Sequence, residues 1–320
     1  MMKRRIGLAA LVLLLMGSVV VVWRGGRARR TAPRVRAPIR FAFPNRVGIA
    51  IPILAARRGL FEKHEIGVKA MPLSGGPACA EALFTGAADV ASLGDALTVT
   101  ALLRDARLRL VSAHVWGEQR YRLMVREDAP YRTIHDLAGK RVGIKKGTSI
   151  YGALLKYCEA NGMARTRFTV VDIGLSLMPE ALAAGSIAAF VGSEPAPSLA
   201  EQRGARALAS FDGLGNVYPA MLVAHERVFK GRADALRKFL AALRAAEQLI
   251  ERDADAAAGE VAQAIGLPLE VARSAMRRHS YRLRLDADIL NSLRQTAEFL
   301  QTQGVTQAVP DFKCVDGALR

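Results

Sequence analysis

Residues 136–160 read DLAGKRVGIKKGTSIYGALLKYCEA. Leu137-Ala138-Gly139-Lys140 is a turn signal. Arg141–Ile144 is a short strand candidate. Ser149–Ala160 is a helical stretch that places Leu154, Leu155 and Cys158 on one side. Strand, glycine-containing turn and helix in that order make one α/β unit. Its position in the chain decides the fold, because a full block of the same alternation has already run its course before it, so the pattern restarts here.

The upstream block predicts strands at Ile39–Phe43, Gly67–Met71, Asp89–Leu93, Arg109–Ala113 and Arg120–Val125. Helices fall between them at Pro52–Arg58, Pro77–Phe84 and Ala96–Arg104, with Pro near the start of the first and Gly59 ending it. Downstream, strands are expected at Phe168–Val171, Ile187–Val191, Ala205–Ala209 and Tyr218–Val223. Helices at Pro179–Ala184 and Pro195–Gln202 separate them. From Ala224 onward the pattern is helical only: Ala233–Ile250, with Leu236, Phe239, Leu240, Leu243 and Ile250 on one stripe, then Asp253–Ile265, Leu269–Arg278 and Asp286–Gln303. Strand–helix alternation of this kind predicts an α/β fold with largely parallel sheets: two α/β blocks and a helical C-terminal tail.

The chain has 320 residues and a net charge of +17, from 46 Lys and Arg against 29 acids. Such an excess first suggests a nucleic-acid or anionic-membrane partner. Its distribution argues otherwise. Ten of the cations, and no acid, lie in residues 1–40, leaving 36 against 29 in the rest. Lys3, Arg4 and Arg5 precede the uncharged run Ile6–Trp23, which as a helix spans about 27 Å against a hydrocarbon core of about 30 Å. Residues 1–38 therefore read as a targeting segment with an Arg-rich tether, either a cleaved export signal or an anchor in the cytoplasmic membrane formed by 6–23. The remaining body has no basic helix interleaved with aromatics, so no nucleic-acid partner is expected.

Chemistry-bearing motifs are few. Cys79, Cys158 and Cys314 are odd in number and show no C-x-x-C spacing, so no paired framework is expected. The five histidines, His64, His114, His135, His225 and His279, have no H-x-x-x-H or H-E-x-x-H spacing. No G-x-S-x-G is present, and Lys146 precedes the only glycine of its turn, which excludes a Walker motif. No metal and no cofactor is expected.

Three segments together resemble the solute-binding proteins of the nitrate/sulfonate/taurine type, the family that also holds thiamine-precursor binders. They are Leu54–Ile66 (LAARRGLFEKHEI); Ser74-Gly75-Gly76 with Glu81-Ala82-Leu83, Gly86 and Ala88-Asp89-Val90-Ala91; and Asp136–Ile144 through Lys146-Gly147-Thr148-Ser149 to Glu194-Pro195. The likeness covers about residues 39–250. The sequence departs from the family's pattern in two places: Ser193 stands where Trp or Tyr often precedes Glu-Pro, and Glu65 replaces a glycine. The resemblance implies a two-lobed periplasmic-binding-protein type II fold, with 39–126 and 225–320 as one lobe and 127–224 as the other. It implies an extracytoplasmic, monomeric receptor that clamps a small organic anion and hands it to ABC permease subunits, without catalysis. Two alternatives stay open: an enzyme of a pyrimidine or menaquinone pathway on the same fold, and a membrane-anchored ligand sensor.

In such folds the ligand sits beyond the carboxyl ends of strands, where helix N-termini converge. The residues there are the candidates. Thr148 and Ser149, after Gly147, offer hydroxyls and free N–H groups to an anion; Ser149 is otherwise an N-cap. Ser74, Gly75 and Gly76 allow close backbone approach, or simply turn the chain. Asp95 either caps the next helix or faces the ligand. Asn45 offers a donor and an acceptor, or serves its turn. Trp116 stacks on a ligand or packs in the core. Glu194 accepts from an amine or pairs with an arginine across the cleft. Tyr218 lines the cleft near a crossing. Asp95 and Glu194 leave a zwitterionic ligand open beside a simple anion.

Overall fold

The structure is a computed structural model; it describes residues 37–146, 148–163, 167–315 and 317. The targeting segment and tether expected over 1–38 lie outside the described residues except at Ala37 and Pro38, and Gly147 lies outside them as well.

Two five-stranded sheets organise the body. The first has the order β2-β1-β3-β10-β4, where β1 is Ile39–Pro44, β2 Val68–Leu73, β3 Val90–Gly94, β4 Leu108–Val115 and β10 Ala220–His225. The second has the order β7-β6-β8-β5-β9, with β5 Tyr121–Arg126, β6 Arg141–Ile144, β7 Thr169–Asp172, β8 Ala189–Ser193 and β9 Ala205–Ser210. In each sheet three strands pair in parallel, and one strand runs antiparallel between two neighbours: β10 between β3 and β4, β5 between β8 and β9. The sheets are thus mixed, where the alternation alone pointed to largely parallel ones.

That antiparallel strand comes from the far side of the chain in both cases, which shifts the expected boundaries by one strand. Tyr121–Arg126 pairs with Ala189–Ser193 in the second sheet and not with the first block. Ala220–His225 returns to the first sheet. The chain crosses between sheets over 116–120 and again over 211–219. These crossings run side by side, with Gly117 N–H donating to Val217 O at 2.9 Å.

Helices cover the sheets because their apolar stripes need a partner. In order they are α1 Ala50–Arg57, α2 Leu60–Lys63, α3 Gly76–Phe84, α4 Asp95–Arg104, α5 Ser149–Ala160, α6 Met178–Ala183 and α7 Ala196–Glu201. The tail is α8 Glu226–Arg252, α9 Ala254–Ile265, α10 Leu269–Arg277 and α11 Ala287–Thr302. The α8 helix starts earlier than its apolar stripe and breaks at Arg232; the expected stripe Leu236, Phe239, Leu240, Leu243 and Ile250 is buried. Asp253 and Asp286 cap α9 and α11 through their carboxylates. Glu65 has φ 53, the left-handed region where glycine is at ease. Glu65 thus stands where the pattern it resembles has glycine, at a backbone position that favours glycine.

Candidate functional site

The carboxyl ends of the strands bring loops of both halves together. From the first sheet come Asn45 and Arg46 after β1, Asp95 after β3, and Trp116 to Arg120 after β4. From the second come Thr148 and Ser149 after β6 and Glu194 after β8.

Asp95 and Ser149 meet. Each is the first residue of its helix, α4 and α5, so neither is an N-cap; Gly94 and Thr148 hold that place. Ser149 Oγ donates to Asp95 Oδ1, and the same Oγ accepts from Ala96 N–H at 3.3 Å. Thr296 of α11 donates to Asp95 Oδ2 at 2.9 Å. Burial raises the Asp95 pKa, while Ser149, the Arg120 charge and Thr296 pull the other way.

Glu194 is the matching acid of the second half, and its peptide bond to Pro195 is cis. Its Oε1 accepts from Arg122 Nη2 at 2.6 Å and lies 3.7 Å from Arg278 Nε, beyond the end of α10. Its Oε2 accepts from Ser198 N–H at 3.3 Å. Arg122 is held on its other side by Glu201. Glu194 pairs with an arginine, but its hydrogen-bonded partner is Arg122 of the neighbouring strand in the same sheet and not an arginine across the cleft.

Other expected residues are placed differently. The Thr148 hydroxyl donates to Lys145 O at 2.6 Å and is spent on its own turn. Asn45 and Ser74 are exposed. Gly75 is the N-cap of α3, and at Gly76 a Cβ would run into Leu97, so that glycine answers to packing. Trp116 is half-buried, with the Arg284 guanidinium 4.9 Å from its ring centroid. Tyr218 is 2 % exposed, at φ 48, with its ring centroid 4.6 Å from that of Tyr121.

The cations beside these groups were not singled out in the sequence. Arg120, on the first crossing, donates from Nη2 to Tyr218 O at 2.5 Å and to Tyr121 Oη at 3.2 Å. Among the described residues, neither Arg120 nor Arg46 forms an ion pair with a carboxylate. Burial, with the like charge of Arg120 nearby, pulls the Arg46 guanidinium below its ordinary value. His114 lies near both: burial pushes its imidazole down to about 3, and Arg120 and Arg46 act in the same direction. His279 is also pushed down to about 3, first by burial and then by Arg120. Three buried polar atoms in this group have no hydrogen-bond partner: Arg120 Nε, His114 Nδ1 and Tyr218 Oη. The sequence offered one faint signal, a cation directly after Asn45 and another in a strand-to-strand crossing. Their lack of carboxylate partners is a tertiary property. A surface depression of about 240 Å³ is lined by Ser112, Leu240, Arg244, Leu283, Arg284 and Leu285, and its Arg284 is the same cation that lies over the Trp116 ring.

Among the described residues no cluster of His, Cys, Asp and Glu suits a metal ion, and no helix is long and apolar enough to cross a membrane. The run 6–23, expected to target or anchor the chain, lies outside those residues.

Comparison with known proteins gives the following likenesses. A family model described as NMT1/THI5 like matches residues 47–257. An aliphatic sulfonates-binding protein of Escherichia coli (strain K12) is 28% identical over 228 residues, covering 69% of this chain and 70% of that protein. The crystal structure of the periplasmic aliphatic sulphonate binding protein SsuA from Escherichia coli superposes with a TM-score of 0.78 at 22% identity, over 88% of this chain and 94% of that one. The alkanesulfonate-binding protein SsuA from Xanthomonas axonopodis pv. citri, bound to MOPS, gives 0.73 at 24% identity, over 87% and 96%. The desulfurization enzyme DSZB gives 0.70 at 18% identity, over 89% and 98%. The fold is that of the periplasmic binding proteins.

Proposed function

Because the chain belongs to the NMT1/THI5-like family, we propose that it is an extracytoplasmic solute-binding receptor, a two-lobed clamp that captures a small organic oxyanion of the sulfonate class. It delivers the ligand to an ABC permease, acts as a monomer and catalyses no reaction. Residues 6–23 direct it to the cytoplasmic membrane. The lobes follow the sheets, so Tyr121–Arg126 belongs with the second and Ala220–His225 with the first.

One observation carries this reading: three unsatisfied buried polar groups, on β4 and on the two crossings, can all donate. Arg120 Nε and Tyr218 Oη are donors, and His114 Nδ1 donates in one of its two tautomers. Buried donors of this kind are ordinarily paired. Arg46 and Arg120 add two positive charges without ion-pair partners among the described residues. An oxyanion supplies both the acceptors and the charge that the cleft lacks. The sulfonate-binding relatives point to the same chemistry. The enzyme alternative finds less support: burial pushes the Cys79 and Cys158 thiols up to about 11, so neither is poised as a thiolate nucleophile.

Thermal-shift screening of the purified full chain against alkanesulfonates, taurine, nitrate and pyrimidine precursors tests the proposal. An alkanesulfonate should raise the melting temperature, and Arg46→Met should cut its affinity by roughly 30-fold or more. No shift with any solute, together with turnover of a substrate, would establish the enzyme reading instead.

A further inference from the structure

Resting on the reading of the cleft as an oxyanion site, we infer that Ser92 is a positioning residue: its hydroxyl donates to His114 Nε2 and so keeps the single ring hydrogen on Nδ1, which offers it to the ligand.

The backbone brings the two residues together. Ser92 lies in β3 and His114 in β4, and β10 runs between those strands. Ala220 stands opposite Val115 and Met221 opposite Ala113, so His114 is the extra residue of a bulge in β4. A bulge re-aims the side chain at that point. Here the ring reaches Ser92, with Nε2 2.8 Å from Oγ. Both residues are buried.

Two arrangements fit that distance, and they differ in what they leave over. Burial and the charges of Arg120 and Arg46 hold the His114 pKa at about 3, so near neutral pH the ring is uncharged and carries one hydrogen. If Nε2 holds it, Ser92 accepts. The hydroxyl hydrogen of Ser92 then has no acceptor among the described residues, and Nδ1 is bare and unpaired. If Ser92 donates instead, Nδ1–H alone is left over. Each buried polar group without a partner is costly, so the second arrangement is favoured. An anion strengthens the choice. It accepts from Nδ1–H, whereas a bare Nδ1 would turn a lone pair toward it.

Long-range proton–nitrogen NMR of the full chain, labelled with 15N-histidine at pH 7, reads the tautomer directly. His114→Gln identifies the signal. In the unliganded chain His114 should carry its hydrogen on Nδ1. Ser92→Ala should show a mixture of tautomers and bind ethanesulfonate about tenfold more weakly by isothermal titration. Ser92→Thr, which keeps the hydroxyl, should restore the Nδ1–H tautomer and most of the affinity. A bare Nδ1 in the unsubstituted chain overturns the inference, even where a variant does not fold, and leaves the receptor reading standing if ethanesulfonate binds. Unchanged tautomer and affinity in Ser92→Ala overturn it as well. If the unsubstituted chain binds neither ethanesulfonate nor any other solute of the thermal-shift screen, the receptor reading fails, and the role given to Nδ1 fails with it.

Discussion

His114 has Nε2 2.8 Å from Ser92 Oγ and no partner at Nδ1. Its imidazole and that of His279 are held at about 3 in the folded chain, chiefly by burial, against about 6.5 when unfolded. Between those values the unfolded chain binds more protons than the native one. Stability is therefore complete above about pH 6.5 and is lost as pH falls toward 3, at most about 1.4 kcal/mol per pH unit for each imidazole. Urea titrations at pH 7, 6, 5 and 4 should show the midpoint falling, and His114→Gln should make the fall shallower. An identical slope in the variant would show that His114 is not protonated on unfolding in this range. Residues of this kind mark the limit of reading a sequence. Ser149 and Asp95 were found because each follows a strand and opens a helix. Arg46 and Arg120 were two of 46 Lys and Arg, and only the folded chain shows them without carboxylates to pair with.

Among elements, the helix Ser149–Ala160 has the bounds its apolar spacing predicts, as does the strand Arg141–Ile144. Periodicity identifies an element and its buried face, but it does not name the surface that covers that face. Tyr121–Arg126 read correctly as a strand, yet its partners, Ala189–Ser193 and Ala205–Ser210, are long-range and invisible to local pattern. Gly152 is a similar case. Glycine inside a helix costs about 0.5–1 kcal/mol relative to alanine, and nothing nearby in sequence explains it. The reason lies in α11: a Cβ at Gly152 would stand 2.9 Å from Cε1 of Phe299. Gly152→Val should destabilise the chain by about 1–3 kcal/mol through overpacking, read as a lower urea midpoint. Adding Phe299→Leu should recover part of the loss; a strictly additive double variant would rule out this contact as the cause.

At the scale of the molecule, bonds that span the two halves set how far they stand apart. Asp95 opens a helix of the first sheet's half, and Ser149 opens one of the second's. Ser149→Ala removes that link, so small-angle scattering of the unliganded protein should show a larger radius of gyration. Thr148→Ala should leave it unchanged, because that hydroxyl is already spent on Lys145 O. Equal radii in both variants would mean that other contacts hold the halves together. The paired crossings have a further consequence. Every strand of the second sheet falls within residues 121–210, and the chain enters and leaves that stretch at neighbouring points bonded to each other. In genetic terms this half is a cassette. One uninterrupted piece of reading frame encodes it, so it can be exchanged for a relative's with two cuts, whereas the other half is split and has no such continuity.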